Sequence, residues 1–376
     1  MKIIFLLRSV VLSGGIERVI VDKANWLAEQ GHQILFLTYE QGNHPFSFPL
    51  KSDVLHEDLE CRYFTVYKRN LFVRPFLKMQ MRRLFKDRLK KKIKTFSPDV
   101  LVIPHNLSEY LHIITEMNCY IPVVLECHSI HVELFRDTGS MIGQYRRYKF
   151  ISNLRRCTMI VSLTEADASY WRQFCSKVEV LPNPLPFYNK TFSEVIKKPN
   201  RIICVARLQP VKRIDRLIES FALIAGKHAD WYIDVFGDGN EREWLTKLID
   251  QKGLQNRIFL NSPVSDIYSE YLQSEFFVLS SDSESFSLAI VEAMACGIPV
   301  VSTDCPFGPS DIIEDGVDGL LCKMTVEDLS AKMEWMITHE KERKEMGIKA
   351  HQAVARYKKE NVMKKWESAY LSVLDK

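Results

Sequence analysis

Apolar residues recur along the chain as short runs set between helical patterns. Lys2 to Leu7 is an apolar run of strand character; Ser13, Gly14 and Gly15 follow, and Val19, Ile20, Ala24, Trp26 and Leu27 then repeat at helical spacing until Gly31 stops them. Gln33 to Thr38 is again a strand, and strand, helix, strand requires a parallel sheet with helices on its faces. Buried-strand runs continue at Val100 to Ile103, Pro122 to Glu126 and Met159 to Leu163. The stretch Pro182-Asn183-Pro184-Leu185-Pro186 breaks the rhythm, because proline continues neither a helix nor a strand interior, and the chain stays polar to Asn200. A second series follows, with strands at Arg201 to Ala206, Trp231 to Phe236, Arg257 to Leu260, Phe276 to Ser280 and Pro299 to Ser302, and helices at Ile214 to Ala225 and Leu288 to Cys296.

This pattern predicts an α/β protein of two Rossmann-like domains whose parallel sheets face a central cleft, since ligands of such sheets bind beyond the carboxyl ends of the strands. The expected division is an N-terminal domain over 1–186, a linker over 187–199 and a C-terminal domain over 200–360, with a last helix at about 361–376 packing back on the first domain. A chain of 376 residues is long enough for two separate cores.

Composition narrows the class. Hydrophobic residues at 46% and charged residues at 26% exclude a disordered or collagenous chain. The longest apolar runs fall far short of the roughly 18 to 20 residues a membrane span needs, and Met1 to Leu7 is too short for the apolar region of a signal peptide. Nine cysteines without a CxxC pair argue against a disulfide framework or zinc ribbon and for buried thiols in a reducing cytoplasm.

Charge is unevenly placed. Between Lys68 and Lys94 twelve lysines and arginines face Asp87 alone, a local +11 that leaves the rest of the chain, whose total is +4, at −7. Leu77, Met81, Leu84, Phe85, Leu89 and Ile93 recur there at helical spacing, so 77–95 reads as an amphipathic helix with a cationic face. That face either lies in water or meets an anionic membrane surface through Arg82, Arg83, Lys90, Lys91 and Lys92; no nucleic-acid module accompanies it, and nucleic acid is not expected as a partner.

Candidate chemistry concentrates after Ser280. Small polar residues form a turn, Ser287 is placed as the N-cap of the following helix, and Gly297 with Pro299 closes that helix. The amides of Phe286, Ser287 and Leu288 would then sit unpaired at the positive end of a helix dipole, a site suited to a diphosphate. Glu292 lies too deep in the helix to be a cap and would accept both hydroxyls of a ribose, while Glu284 in the turn would hold sugar hydroxyls.

The spacing of Glu284 and Glu292, within Ser-x-x-Glu-Ser-Phe-Ser-Leu-x-x-Val-Glu-Ala-Met-Ala-Cys-Gly, resembles the Glu-x7-Glu nucleotide-sugar motif of the family 4 glycosyltransferases, which have the GT-B fold. Gly14-Gly15 resembles the family's first-domain glycine loop, Arg207 and Lys212 its Arg and Lys pair, and Phe236-Gly237-Asp238-Gly239 and Pro182-Asn183-Pro184 match as well. Where the commonest family pattern reads Glu-Gly-Phe-Gly, this chain has Glu284-Ser285-Phe286-Ser287.

The resemblance implies roles. Arg207 and Lys212 would neutralise the leaving diphosphate with the 286–288 amides and Gly15; Glu292 would bind ribose and Glu284 the donor sugar; Gly14 and Gly237 would border the donor; and His128, or its neighbour His131, would lie near the reacting sugar. It implies a retaining hexosyltransferase that uses a nucleoside-diphosphate sugar, UDP-linked by expectation, on a lipid-linked or polysaccharide acceptor of surface-glycan synthesis (capsule, exopolysaccharide or lipopolysaccharide). No metal or other cofactor is expected, and the location implied is cytoplasmic, peripheral to the inner face of the cell membrane. Two alternatives share the fold: a UDP-sugar 2-epimerase, which would turn over without an acceptor, and a non-catalytic sugar-nucleotide-binding subunit.

Overall fold

The computed structural model describes residues 1–11, 14–67, 70, 72–104, 108–117, 120–131, 140–188 and 198–374. Chain contacts divide it into two units, one of Met1–Leu181 with Met363–Lys376 and one of Pro182–Val362. Most of the expected linker, 189–197, lies outside the described residues.

In the first unit, β1 (Lys2–Leu7), β2 (Gln33–Thr38), β3 (Val54–Asp58), β4 (Val100–Pro104), β5 (Val123–Cys127), β6 (Met159–Ser162) and β7 (Val178–Val180) form one parallel sheet in the order 3-2-1-4-5-6-7. Helices α1 (Gly15–Glu29), α2 (Arg74–Phe96), α3 (Ser108–Glu116), α4 (Met141–Leu154) and α5 (Glu165–Trp171) connect the strands. Because side chains alternate across a strand, Ile4, Leu6, Leu101, Ile103 and Leu125 share one face and pack with Phe85, Leu89 and Ile93 of α2 and Leu154 of α4. Phe5 and Glu126 take the other face.

The second unit repeats the plan. β8 (Arg201–Val205), β9 (Tyr232–Phe236), β10 (Ile258–Asn261), β11 (Phe276–Leu279), β12 (Val300–Thr303) and β13 (Gly319–Cys322) run parallel in the order 10-9-8-11-12-13. With α6 (Ile214–Ile224), α7 (Arg242–Gln251), α8 (Ile267–Leu272), α9 (Leu288–Ala295), α10 (Val326–Thr338) and α11 (Glu340–Ala353), this is the doubly wound Rossmann order, in which the strand order, built outward from β8 to β10 on one side and from β11 to β13 on the other, switches between β8 and β11. A last helix, α12 (Lys359–Leu371), belongs to the first unit from Met363 onward.

The structure adds three strands, β3, β7 and β13, that the hydrophobic pattern leaves out. All three are at sheet edges; β3 and β7 carry a weak apolar signal there, every residue of β7 being only half-buried, while β13 is apolar and mostly buried but only four residues long. Eight of the nine cysteines are described, all of them buried free thiols. Among the described residues no helix is long and apolar enough to cross a membrane.

Candidate active site

The second unit's switch point lies between β8 and β11, and the loops leaving these neighbouring strands carry the predicted chemistry. The loop after β8 holds Arg207 and a 3-10 turn, Pro210–Lys212; the turn after β11 runs from Ser280 into α9. They meet where Lys212 Nζ donates to Glu284 Oε1 at 2.7 Å, and Ser281 Oγ donates to the same oxygen at 2.7 Å. Both charged side chains are largely enclosed, 16% exposed for Lys212 and 7% for Glu284, so the pair is weakly screened by water.

The turn is held from several sides. Thr303 Oγ1 donates to the Ser281 carbonyl at 2.7 Å, the Asp282 amide to the Val211 carbonyl at 2.9 Å, and the buried Arg216 guanidinium to the Ser280 carbonyl at 2.8 Å and Asp282 Oδ1 at 2.6 Å. Gly308, at φ 99°, brings the loop after β12 so close that an added Cβ would lie 3.3 Å from the Glu284 Cβ. One turn inside α9, buried Glu292 accepts a hydrogen bond from the buried Tyr271 hydroxyl at 3.2 Å.

The amides of Phe286, Ser287 and Leu288 donate to no other group among the described residues, and Phe286 is anchored edge-on against Tyr357. Ser287 does occupy the N-cap position of α9, but its side chain caps nothing. Its backbone stands at φ 20°, ψ 83°, away from the extended geometry from which a serine hydroxyl reaches back to the helix amides, which corrects the capping role expected from sequence. This is also a position where the commonest family pattern has glycine.

Arg207 and Lys212 differ in state. The Arg207 side chain is exposed and makes no hydrogen bond or ion pair with the described residues, whereas Lys212 is matched by Glu284. Gly237 and Gly239 serve close packing between loops: a Cβ at Gly237 would fall 1.9 Å from the Ala206 carbonyl oxygen, and one at Gly239 2.1 Å from that of Leu208.

In the first unit, Gly14 is the N-cap of α1 and Gly15 its first residue, near a small hollow of about 20 Å³ at the carboxyl ends of β1 and β4 lined by Leu7, Arg8, Glu17 and Pro104. A Cβ at Gly14 would lie 2.1 Å from Glu17 Oε2. His128, just past β5, has a fully enclosed ring whose Nε2 lies 2.9 Å from Glu126 Oε2. His131 Nδ1 lies 2.7 Å from Asp167 Oδ1, and its ring stacks on Tyr170 at 3.8 Å.

The basic helix α2 spends its apolar face on the core: Phe85, Leu89 and Ile93 are buried, and Met81 and Leu84 pack against the same cluster. Arg82, Arg83, Lys90 and Lys91 project into solvent, while Lys92 is paired with Glu57. The large apolar side chains that remain exposed lie just before the helix and in its first turns, Phe72, Val73, Phe76 and Met79. Lys68 and Arg69 lie outside the described residues.

Sequence reasoning missed Ser281, Thr303, Arg216 and Tyr271. Only Arg216 carried a signal, as a charge flanked by Ile214, Leu217 and Ile218 on an apolar helix; the others are ordinary residue types whose partners lie far away in sequence. Among the described residues no group of three or more His, Cys, Asp or Glu side chains is placed to hold a metal ion.

Two parallel sheets in Rossmann order, with paired lysine and glutamate at the second switch point, define a GT-B architecture. The models for glycosyltransferase family 4 and for glycosyl transferases group 1 match residues 13–187 and 189–353. The chain belongs to the family 4 glycosyltransferases and is a glycosyltransferase. It is 25% identical over 380 residues to an uncharacterized glycosyltransferase of Haemophilus influenzae, covering 97% of this chain and 99% of that protein. It is 24% identical to the amylovoran biosynthesis glycosyltransferase AmsD of Erwinia amylovora, covering 97% and 98% of the two chains. A Campylobacter jejuni α-1,4-N-acetyl-D-galactosaminyltransferase, named for an acceptor on undecaprenyl diphosphate, is 23% identical over 97% of both chains. Among solved structures, S. aureus TarM, crystallised with fondaparinux, alpha-GlcNAc-glycerol and UDP, superposes with a TM-score of 0.80 at 16% identity, covering 100% of each chain.

Proposed function

We propose that this glycosyltransferase moves a hexose from a UDP-sugar to a lipid-linked or polysaccharide acceptor in surface-glycan synthesis, with retention of anomeric configuration. The observation that carries the reading is the second switch point, where Lys212, Glu284 and three free amides lie on two adjacent loops and Glu292 follows one turn inside α9. Relatives named for amylovoran and for an undecaprenyl-linked glycan support the acceptor class, and the UDP and α-linked ligand named with TarM support donor and stereochemistry.

The proposed chemistry follows from charge. Departure of UDP builds negative charge on the diphosphate; the 286–288 amides and Lys212 are donors fixed in advance to receive it, which is where an enzyme gains most, and the exposed Arg207 adds a further positive charge. Glu292 takes the ribose hydroxyls. Glu284, which now accepts from Lys212 and Ser281, takes hydroxyls of the donor sugar. Positive charge comes from side chains and amides, so no metal is required by this reading. The exposed cations of α2, Arg82, Arg83, Lys90 and Lys91, support a reading in which the enzyme works peripherally at an anionic membrane leaflet.

The test is transfer from radiolabelled UDP-sugars to lipid-linked or glycan acceptors in excess chelator, with NMR of the product. An α-linked product from an α-linked donor is expected. A β linkage, or activity lost in chelator and restored by Mg²⁺ or Mn²⁺, would refute the mechanism. Conversion of the UDP-sugar to its C2 epimer without acceptor would show the epimerase instead, and donor binding without turnover a binding subunit.

A further inference from the structure

The residue after Lys212 has an unusual backbone. Arg213 ends the 3-10 turn and leads into α6 in the left-handed region, at φ 49° and ψ 46°, which a non-glycine residue seldom adopts unless its surroundings impose it. Its guanidinium shows what imposes it: Nε and Nη2 donate to the Asp215 carboxylate at 3.0 and 2.9 Å, and Nη1 donates to Asp282 Oδ2 at 3.2 Å. Asp282 is shared. Its Oδ1 accepts from Arg216 Nη2 at 2.6 Å, and the Arg216 guanidinium, on a side chain only 5% exposed, also donates to the Ser280 carbonyl at 2.8 Å. Ser280 Oγ in turn donates to the Lys212 carbonyl at 3.1 Å.

We propose that Asp282, bridging Arg213 and Arg216, is a positioning residue that sets Lys212 against Glu284. The bend at Arg213 fixes how the 3-10 turn stands against α6, and Arg216 ties α6 to the turn that carries Glu284, so one carboxylate joins the two backbones from which the pair projects. Lysine carries its ammonium on a flexible four-carbon stem, so Nζ is held at one point only where the backbone beneath it is held as well. The enclosed Arg216 needs a counter-charge, which Asp282 supplies, and with Arg213 and Asp215 the cluster is neutral. In the chemistry above Asp282 touches neither diphosphate nor sugar; it acts through Lys212. Its effect on turnover therefore rests on the assignment of Lys212 to the leaving group proposed above, whereas its effect on the Lys212–Glu284 pair does not.

The test is a pair of double-mutant cycles on the full-length protein. The interaction between Lys212 and Glu284 is read by urea titration of Lys212→Ala, Glu284→Gln and the two combined, first with Asp282 present and then in Asp282→Asn. The coupling should fall to about half or less in Asp282→Asn, and undiminished coupling overturns the inference. In turnover Asp282→Asn should lower kcat about tenfold, less than the loss of Lys212 itself, and should lower it no further once Lys212 is alanine. Losses that multiply in Lys212→Ala/Asp282→Asn would show Asp282 acting apart from Lys212 and would also overturn the proposal. Coupling lost with kcat unchanged would uphold the positioning and overturn the assignment of Lys212 to the leaving group. Should Asp282→Asn not fold, Arg213→Gly keeps the Arg216–Asp282 pair and still reaches the left-handed angle but no longer imposes it. It should weaken coupling and kcat in the same way, and full retention of both overturns the inference.

Discussion

Removing the Lys212 side chain tests the site most sharply, because it strands Glu284. The pair is 2.7 Å apart and largely enclosed. At an effective dielectric of about 20 its gross attraction is on the order of 6 kcal/mol, most of it offset by the cost of taking two charges out of water. Breaking an enclosed pair from one side costs about 3 to 5 kcal/mol, and since Lys212 keeps some contact with water and Ser281 still donates to Glu284, Lys212→Ala should cost about 3 kcal/mol. Glu284→Gln keeps the shape and should cost about 1 to 2 kcal/mol. Lys212→Ala/Glu284→Gln leaves neither charge unmatched, so the double variant should be more stable than the sum of the singles by at least about 1 kcal/mol in urea titration. In turnover, Lys212→Ala removes the proposed donor to the leaving diphosphate and should lower kcat about 10²- to 10³-fold. Stability effects that simply add would refute the coupling, and unchanged kcat would refute the assignment of Lys212 to the leaving group.

Three further outcomes follow from particular residues. Ser287→Gly removes the strain of a non-glycine residue at φ 20°, worth about 1 to 3 kcal/mol before the flexibility glycine gives the unfolded chain is subtracted, and should raise the thermal midpoint by a few degrees; a lower midpoint would show the conformation to be unstrained. Glu126 is fully enclosed, but the Lys23 charge and the hydrogen bonds from His128 and Lys23 outweigh burial and bring its carboxyl to about 2 in the folded protein instead of 4.5, so the unfolded chain binds its proton first as pH falls. Its contribution, on the order of 3 kcal/mol, is full above about pH 4.5 and gone by about pH 2, and Lys23→Met/Glu126→Gln should lose less stability than wild type between pH 6 and 3; equal losses would refute this. Arg82, Arg83, Lys90 and Lys91 are each worth about 1 kcal/mol at an anionic leaflet, so their replacement by glutamine should abolish low-salt co-sedimentation with phosphatidylserine vesicles; undiminished pelleting would place the contact elsewhere.

How much of this was legible varies with the range of the interaction. The parallel-sheet architecture was legible because its central strands are buried on both faces and read as continuous apolar runs, as in Val100–Pro104 and Phe276–Leu279. The basic face of α2 was legible for a similar reason, since helical spacing alone separates Phe85, Leu89 and Ile93 from Arg82, Arg83 and Lys90. The spacing of Glu284 and Glu292 identified the family because a turn and one helix fix it locally.

Distance along the chain hid the rest. Lys23 sits within the apolar stripe of α1 and Glu126 within a buried strand, each an isolated anomaly in sequence; only the fold brings them together across 103 residues and closes the network with Tyr370, a further 244 residues from Glu126. Ser287 illustrates the same limit at short range: its residue type suits a helix cap, but the packing that holds the β11–α9 turn sets a backbone angle from which it cannot cap. Sequence by itself determined the two series of central parallel strands and the family motif around Glu284 and Glu292. Tertiary structure alone decided that Lys212 is held by Glu284 while Arg207 stands free, because burial and pairing of charges depend on which loops the sheet order makes neighbours.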